Sequence, residues 1–151
     1  MDLANRQIEQ QMTVLLRRVQ RIHVLTSSGG IDLERSAYGI MCRLADEGSQ
    51  RLGALAIAFG LDPSTITRQV QALEKAGLVD RSHDVADRRA WILSLTAEGH
   101  DVLNRTRNHR RQRLEEVLRD WAEEDREMLG RLLAKFNRSM SELVDRDRDP
   151  A

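Results

Sequence analysis

A chain of 151 residues with 40% hydrophobic and 3% aromatic residues is long enough for one helical domain and too apolar for a disordered tail. Nucleic-acid-binding proteins often carry an excess of basic residues, so the balance of 24 basic and 24 acidic side chains argues against DNA rather than for it. The single cysteine, Cys42, excludes a disulfide framework, and without a membrane-span or signal-peptide pattern we expect a cytoplasmic protein with no membrane partner.

The chain opens with two predicted core-building helices. The first runs from Gln7 to about Thr26, and "SSGG" ends it. Its apolar residues recur at helical spacing, at Ile8, Met12, Leu15, Leu16, Val19 and Ile22. The second begins near Asp32, a suitable N-cap, and continues to a break at residues 46–49.

The next segment, "RLGALAIAFGLDPSTITRQVQALEKAGLV", has a helix-turn-helix pattern. A short apolar helix breaks at Gly60, and a second helix opens with Asp62 as N-cap and Pro63 at its first position. The residues expected to form the shared core of the two helices are Leu55, Phe59, Leu61 and Ile66. Many helical hairpins share this arrangement, so the side chains on the surface of its second helix must decide whether the motif binds DNA.

A helical wheel divides the second helix of this motif, which opens at Asp62, into two faces. Its inner face carries Ile66, Val70 and Leu73, and its outer face carries Ser64, Arg68, Gln71 and Lys75. Arginine can read guanine and glutamine can read adenine, so this outer face favours base recognition over a merely solvated surface. Thr65 and Thr67 flank it within reach of phosphates.

A β-hairpin follows the second helix. Gly77 is a C′ residue, and Leu78–Ser82 and Ala90–Leu95 are short strands. We expect Arg89 to insert into a DNA groove, Asp87 to orient it by a charge-assisted hydrogen bond, and Arg88 and Arg81 to contact phosphates. The alternative is a cross-hairpin surface ion pair, which would contribute only about 0 to 1 kcal/mol to stability.

These residues resemble the signature region of MarR-type transcriptional regulators. The wing of that family typically reads Asp-x-Arg, five residues, Leu-Thr, and a glycine three residues later, which is matched by Asp87, Arg89, Leu95, Thr96 and Gly99. The turn "SHDVAD" lacks the proline that is common there. The resemblance implies a mainly α fold with a small β-hairpin wing, in a homodimer that binds pseudo-palindromic operators with the wing arginine, Arg89, in the minor groove.

The implied organisation is a single domain over residues 1–151. Residues 49–96 would form the winged helix-turn-helix lobe, and residues 1–31 and 97–146 the dimerisation helices. Thr96 is expected to cap a helix that carries the apolar residues Val102, Leu103, Leu114, Val117, Leu118 and Trp121. A last helix has a wide apolar stripe, which favours burial against a second copy over an intramolecular bundle. The arginines between Arg105 and Arg113 are interpreted as a solvated face.

The resemblance also implies a sensor, because such regulators release DNA when a small phenolic or aromatic compound binds or a cysteine is oxidised. The candidate residues are Tyr38 and Cys42, which lie one turn apart on the predicted helix that begins near Asp32, and His23, which lies on the first helix of the chain. Core packing is the competing interpretation, and no basic side chain at i±3 or i±4 is present to activate Cys42.

Other function classes have little support in the sequence. The four histidines match no compact zinc motif, and no phosphate loop or nucleophile elbow occurs, so we expect no metal, no cofactor and no enzyme. The rival is a winged-helix protein that binds protein partners. The sequence favours a sequence-specific double-stranded DNA-binding regulator, a repressor, with its recognition helix in the major groove and its wing in the minor groove.

Overall fold

The computed structural model describes residues 3–27 and 35–148, with side chains for residues 3–18, 21 and 37–147. Its elements in chain order are α1 (Leu3–Ser27), α2 (Arg35–Glu47), β1 (Gln50–Arg51), α3 (Leu52–Phe59), α4 (Pro63–Lys75), β2 (Val79–His83), β3 (Trp91–Leu95), α5 (Ala97–Val117) and α6 (Glu123–Arg148). The expected class, mainly helical with a small antiparallel sheet, is confirmed. The predicted cap at Asp32 lies outside the described residues.

The chain divides into two units, Met1–Arg113 and Leu114–Ala151. The core of the first unit is built by α2, α3, α4, the sheet and the start of α5. Its buried apolar residues are Ala37, Ile40, Met41, Leu44, Leu55, Ala56, Ile66, Val70, Leu73, Leu78, Val79, Leu93, Val102 and Leu103. This core fixes the inner face of α4, so its outer face is directed away from the lobe.

Local sequence explains the turn between α3 and α4. Gly60 ends α3 with φ +60°, a left-handed conformation that a glycine adopts without steric cost. Asp62 then caps α4, because its carboxylate accepts a hydrogen bond from the Thr65 amide at 2.9 Å, and Pro63 occupies the first turn. The predicted start of the second helix of the motif is therefore confirmed.

The sheet has three strands in the order β1-β3-β2, all antiparallel. In the hairpin, Arg81 pairs with Leu93 and His83 pairs with Trp91. Each of the two strands starts one residue later than predicted, at Val79 and at Trp91. The sequence predicted only the hairpin, because the two polar residues of β1 are too few to show the alternation of a strand.

The second unit contains the end of α5 and all of α6. Helix α5 ends at Val117, so Leu118 and Trp121, expected on that helix, lie in the connection, where the Trp121 amide donates to the Leu118 carbonyl at 3.0 Å. The apolar stripe of α6 is exposed at Met128, Leu132, Leu133, Phe136, Met140, Leu143 and Val144. In the first unit, α1 likewise exposes Leu3, Ile8, Leu15 and Leu16.

Candidate nucleic-acid interface

The outer face of α4 is arranged as the helical wheel predicted. Ile66, Val70 and Leu73 are at most 2% exposed, whereas Arg68 and Gln71 are exposed on the opposite face. Among the described residues, neither of these two long side chains has an ion-pair or hydrogen-bond partner. Their donors are therefore available to a ligand that covers the helix.

The first turn of α4 is held by the carboxylate of Asp62. It accepts hydrogen bonds from the hydroxyls of Ser64 and Thr65, the latter at 2.7 Å, and these bonds hold its pKa far below the usual range. The Thr67 hydroxyl donates to the Pro63 carbonyl at 2.7 Å. The three hydroxyl protons are thus used within the helix, and a phosphate, which only accepts, could be bound by Thr65 or Thr67 only after their hydroxyls rotate.

Two carboxylates shape the wing loop between β2 and β3. Asp84 accepts hydrogen bonds from the Ala86 amide at 2.9 Å and from Nε of Arg51 at 2.7 Å, while its own amide donates to the Ala90 carbonyl. Asp87 accepts a hydrogen bond from the amide of Arg89 at 3.0 Å. Asp87 was expected to orient the Arg89 side chain, but the bond that forms holds its backbone, as in an Asx turn.

The wing tip presents two free cations. Arg88 and Arg89 are both exposed, and neither guanidinium is in an ion pair with any described residue. The alternative of a cross-hairpin ion pair is therefore not formed at the tip in the part of the chain that the structure describes. Two unpaired guanidinium groups on an ordered turn are suited to a polyanion.

Arg81 is in a different environment from the tip arginines. Its guanidinium donates to both carboxylate oxygens of Glu74 on α4, with Nε to Oε1 at 3.1 Å and Nη2 to Oε2 at 2.7 Å. It also lies 5.4 Å from the centre of the Trp91 ring. The predicted phosphate contact of Arg81 would have to be made by a guanidinium already held by these neighbours.

The Asp84 contacts predict a pH dependence of stability. The Ala86 amide is the main cause that lowers the pKa of Asp84, and Arg51 lowers it further against the opposing effect of burial. A carboxyl whose pKa is lower in the folded state stabilises the fold above its unfolded pKa, and this contribution is lost as the pH falls through the folded pKa.

We therefore expect Asp84→Asn to lower the free energy of unfolding at pH 7, and the difference from the wild type to shrink as the pH falls below the ordinary aspartate pKa towards the lower pKa of the folded state. Denaturant titrations of both proteins from pH 7 down to about pH 3, below the ordinary aspartate pKa, measure this. The same substitution at exposed Asp80 is the control. A difference that stays constant across the range would contradict the assignment.

The Leu-Thr-x-x-Gly segment joins α4, the sheet and α5. The Thr96 hydroxyl donates to the Gly77 carbonyl at 2.7 Å and accepts from the Gly99 amide at 2.9 Å, which confirms the predicted cap. The Thr96 amide donates to the Leu78 carbonyl at 3.1 Å. Gly77 has φ +73°, as expected for a C′ glycine. The end of the predicted recognition helix is therefore bonded directly to the start of α5.

The sensor candidates meet side chains from a distant helix. Tyr38 and Cys42 lie one turn apart on α2, and burial, followed by the influence of the neighbouring Cys42 side chain, raises the pKa of Tyr38. The guanidinium of Arg110 on α5 lies 4.4 Å from the Tyr38 ring centre. Arg107 donates to Asp46 at 2.8 and 3.0 Å, and this bond is the main cause that raises the pKa of Arg107, with a lesser influence from the Cys42 side chain.

The sequence places no basic side chain at i±3 or i±4 from Cys42, whereas the fold brings Arg107 near it from 65 positions further along the chain. Only the fold brings α5 to this face of α2, so helical spacing alone could not have revealed the contact. The third candidate, His23, has a side chain outside the described residues.

The residues that the structure describes contain no group of three histidine, cysteine, aspartate or glutamate side chains that could hold a metal ion. Across residues 3–27 and 35–148, no helix has the length and apolar character needed to span a bilayer.

Comparison with known proteins identifies the family. The model of the MarR family matches residues 33–91. The uncharacterised HTH-type transcriptional regulator YxaD of Bacillus subtilis (strain 168) is 34% identical over 132 residues, which are 87% of this chain and 92% of that protein.

Solved structures show the same fold. RV1404 from Mycobacterium tuberculosis has a TM-score of 0.76 at 23% identity, over 93% of this chain and 96% of that one. BpsR from Bordetella bronchiseptica, whose DNA binding is regulated by 6-hydroxynicotinic acid, has a TM-score of 0.66 at 25% identity, over 85% of this chain and 98% of that one. With the match to YxaD over nearly its whole length, these findings show that the chain belongs to the MarR family of winged-helix transcriptional regulators, which are not enzymes.

Proposed function

We propose that the protein is a cytoplasmic repressor that binds double-stranded DNA sequence-specifically as a homodimer. The observation that carries this proposal is the set of four exposed side chains without partners among the described residues, Arg68 and Gln71 on α4 and Arg88 and Arg89 at the wing tip. They lie on consecutive elements of one winged lobe and provide both base-reading and phosphate-binding donors. Membership of a family of transcriptional regulators supports the same function.

Each element has a defined role in this proposal. Helix α4 enters the major groove, where Arg68 can donate to guanine and Gln71 can pair with adenine. The wing reaches the adjacent minor groove, whose negative potential attracts Arg89, while Arg88 binds a phosphate. Net charge of zero is compatible with this, because electrostatic attraction depends on where the charges lie: acidic residues crowd the start of α6, and cations occupy the wing tip.

The homodimer is proposed from the exposed apolar faces of α1 and α6. In α6, Leu132, Leu133 and Phe136 are 39 to 55% exposed within the single chain. Soluble proteins rarely leave such a stripe in water, and a second copy of the chain would cover it by twofold symmetry. Residues 1–31 and 97–146 would thus form the dimer region and residues 49–96 the DNA-binding lobe. Sedimentation equilibrium at micromolar concentration tests this, and a monomer would contradict it.

Binding-site selection from a random duplex library at physiological salt tests DNA recognition. The expected result is an imperfect palindrome with half-sites separated by one helical turn, about 10 base pairs centre to centre. A folded dimer that enriches no motif would instead indicate a protein-binding or architectural role. Placing the selected operator across a promoter then tests repression by transcription in vitro, where activation would contradict the repressor assignment.

We propose a small aromatic or phenolic effector for the cluster of Tyr38, Cys42, Arg107 and Arg110. A tyrosine ring beside two guanidinium groups offers both an apolar surface and charge-assisted donors. The regulation of BpsR by 6-hydroxynicotinic acid supports an aromatic ligand. Release of the operator by such a compound from the wild type, but not from Arg110→Ala, is the expected result. Release from both proteins alike would place the effector elsewhere.

A further inference from the structure

The pairing of Arg81 with Glu74 connects two parts of the lobe that would touch DNA separately. Glu74 lies in the last turn of α4, and Arg81 lies in the middle of β2, opposite Leu93 of β3. Both side chains are largely covered, at 29% and 20% exposure. Because the guanidinium is planar and donates through two of its nitrogens to the two carboxylate oxygens, this pair defines a direction as well as a distance between helix and strand.

The contacts continue from this pair towards the wing tip. Arg81 lies 5.4 Å from the centre of the Trp91 ring, and Trp91 stacks on His83 with ring centres 4.0 Å apart. His83 and Trp91 are partners in the last pair of the hairpin before the loop that carries Arg88 and Arg89. A continuous series of contacts therefore runs from the end of α4 to the base of the wing loop.

We propose that Glu74 and Arg81 are positioning residues that hold the wing at a fixed angle to the recognition helix. This inference rests on the proposed function, because it concerns how α4 and the wing engage one operator together. Base reading by α4 and groove insertion by the wing are both satisfied only if the spacing between them matches the duplex. Arg81 then acts through Glu74 and Trp91 and does not itself contact DNA.

The Glu74→Gln variant separates this role from simple electrostatics. A carboxylate on a recognition helix repels phosphates, so its neutralisation alone would strengthen binding to every DNA sequence. Loss of positioning would instead weaken binding to the operator. We expect Glu74→Gln to bind the selected operator about fivefold to tenfold more weakly while its affinity for random DNA does not fall.

The Arg81→Gln variant should behave like Glu74→Gln on the operator. Its binding should weaken about fivefold to tenfold with the salt dependence unchanged, whereas loss of a phosphate contact lowers the slope of log K against log salt by about one. The double variant Glu74→Gln/Arg81→Gln keeps the wild-type net charge. It should lose no more affinity than Arg81→Gln alone, because that single variant already lacks the contact with Glu74.

Operator and random-duplex affinities, measured by fluorescence anisotropy over a range of salt, decide between the roles. Asp80→Asn, which removes one negative charge from the exposed neighbour of Arg81, is the control and should not weaken operator binding. Unchanged or tighter operator binding by Glu74→Gln overturns the proposal. Equal losses on operator and random DNA by Arg81→Gln, with a lower salt slope, assign it to phosphate instead. The wild type is measured first. If it does not prefer the operator to random DNA, the proposed function itself is refuted, independently of any variant.

Discussion

The substitution Gly99→Ala is expected to destabilise the winged lobe by at least about 3 kcal/mol, the upper end of the usual cost of overpacking. A Cβ added at Gly99 would lie 2.0 Å from the carbonyl oxygen of Leu78. That oxygen belongs to the backbone and already accepts the Thr96 amide, so it cannot rotate away as a flexible side chain would. The clash between the added Cβ and this oxygen can be relieved only if α5 moves away from the sheet.

Movement of α5 would break further contacts at the same junction. The Thr96 hydroxyl bonds both the Gly77 carbonyl and the Gly99 amide, so a shift of α5 weakens the link between the end of α4 and the wing. With a typical domain stability of about 5 to 15 kcal/mol, the expected loss is a large share of the total. We therefore expect the variant to unfold at markedly lower denaturant concentration and to bind DNA poorly.

Gly53→Ala is the matched control for this prediction. Gly53 lies in α3 of the same lobe, and a Cβ added there meets no atom within 4 Å. Alanine favours a helix over glycine by about 0.5 to 1 kcal/mol, so this variant should be as stable as the wild type or slightly more stable. Urea denaturation followed by circular dichroism compares all three proteins. Equal midpoints for Gly99→Ala and the wild type would show that the close approach is not required.

The elements that the sequence predicted well are those defined by neighbouring residues. Helix α4 begins where Asp62 caps it and Pro63 follows, and it ends before Gly77, which adopts a positive φ. Both signals act through neighbouring residues and do not depend on the rest of the fold. The burial of Ile66, Val70 and Leu73 follows from helical periodicity in the same way. The outer face of the helix therefore follows from local sequence, without information on tertiary contacts.

The contacts that the sequence did not predict join residues distant along the chain or depend on atomic detail. Strand β1 is ordered by pairing with β3, about forty residues later, and Arg51 reaches Asp84 only in the folded lobe. The sequence predicts a contact between Asp87 and the Arg89 side chain, whereas the Arg89 amide makes the bond, because residue spacing does not distinguish the backbone amide from the guanidinium as the donor. The Glu74 and Arg81 charges are seven residues apart across a turn, where helical spacing rules do not apply.

The Arg68→Ala variant is expected to lose about 1 to 3 kcal/mol of operator binding, or roughly 5-fold to 150-fold in affinity, and to relax the preference at one base position. Arg68 is exposed on α4 and has no partner among the described residues, so its removal leaves the fold intact, and alanine is a good helix former. The loss should therefore be confined to the operator, with only a small effect on random DNA.

Arg88→Ala is the contrasting variant on the same lobe. A phosphate contact carries no sequence information, so its removal should weaken binding to operator and random duplexes alike and lower the salt slope by about one. Binding-site selection repeated with both variants gives the decisive comparison, because only Arg68→Ala should enrich operators with one position degenerate in each half-site. If Arg68→Ala instead weakens operator and random DNA equally and keeps the wild-type motif, Arg68 binds phosphate, and base recognition by α4 must depend on Gln71 and its neighbours.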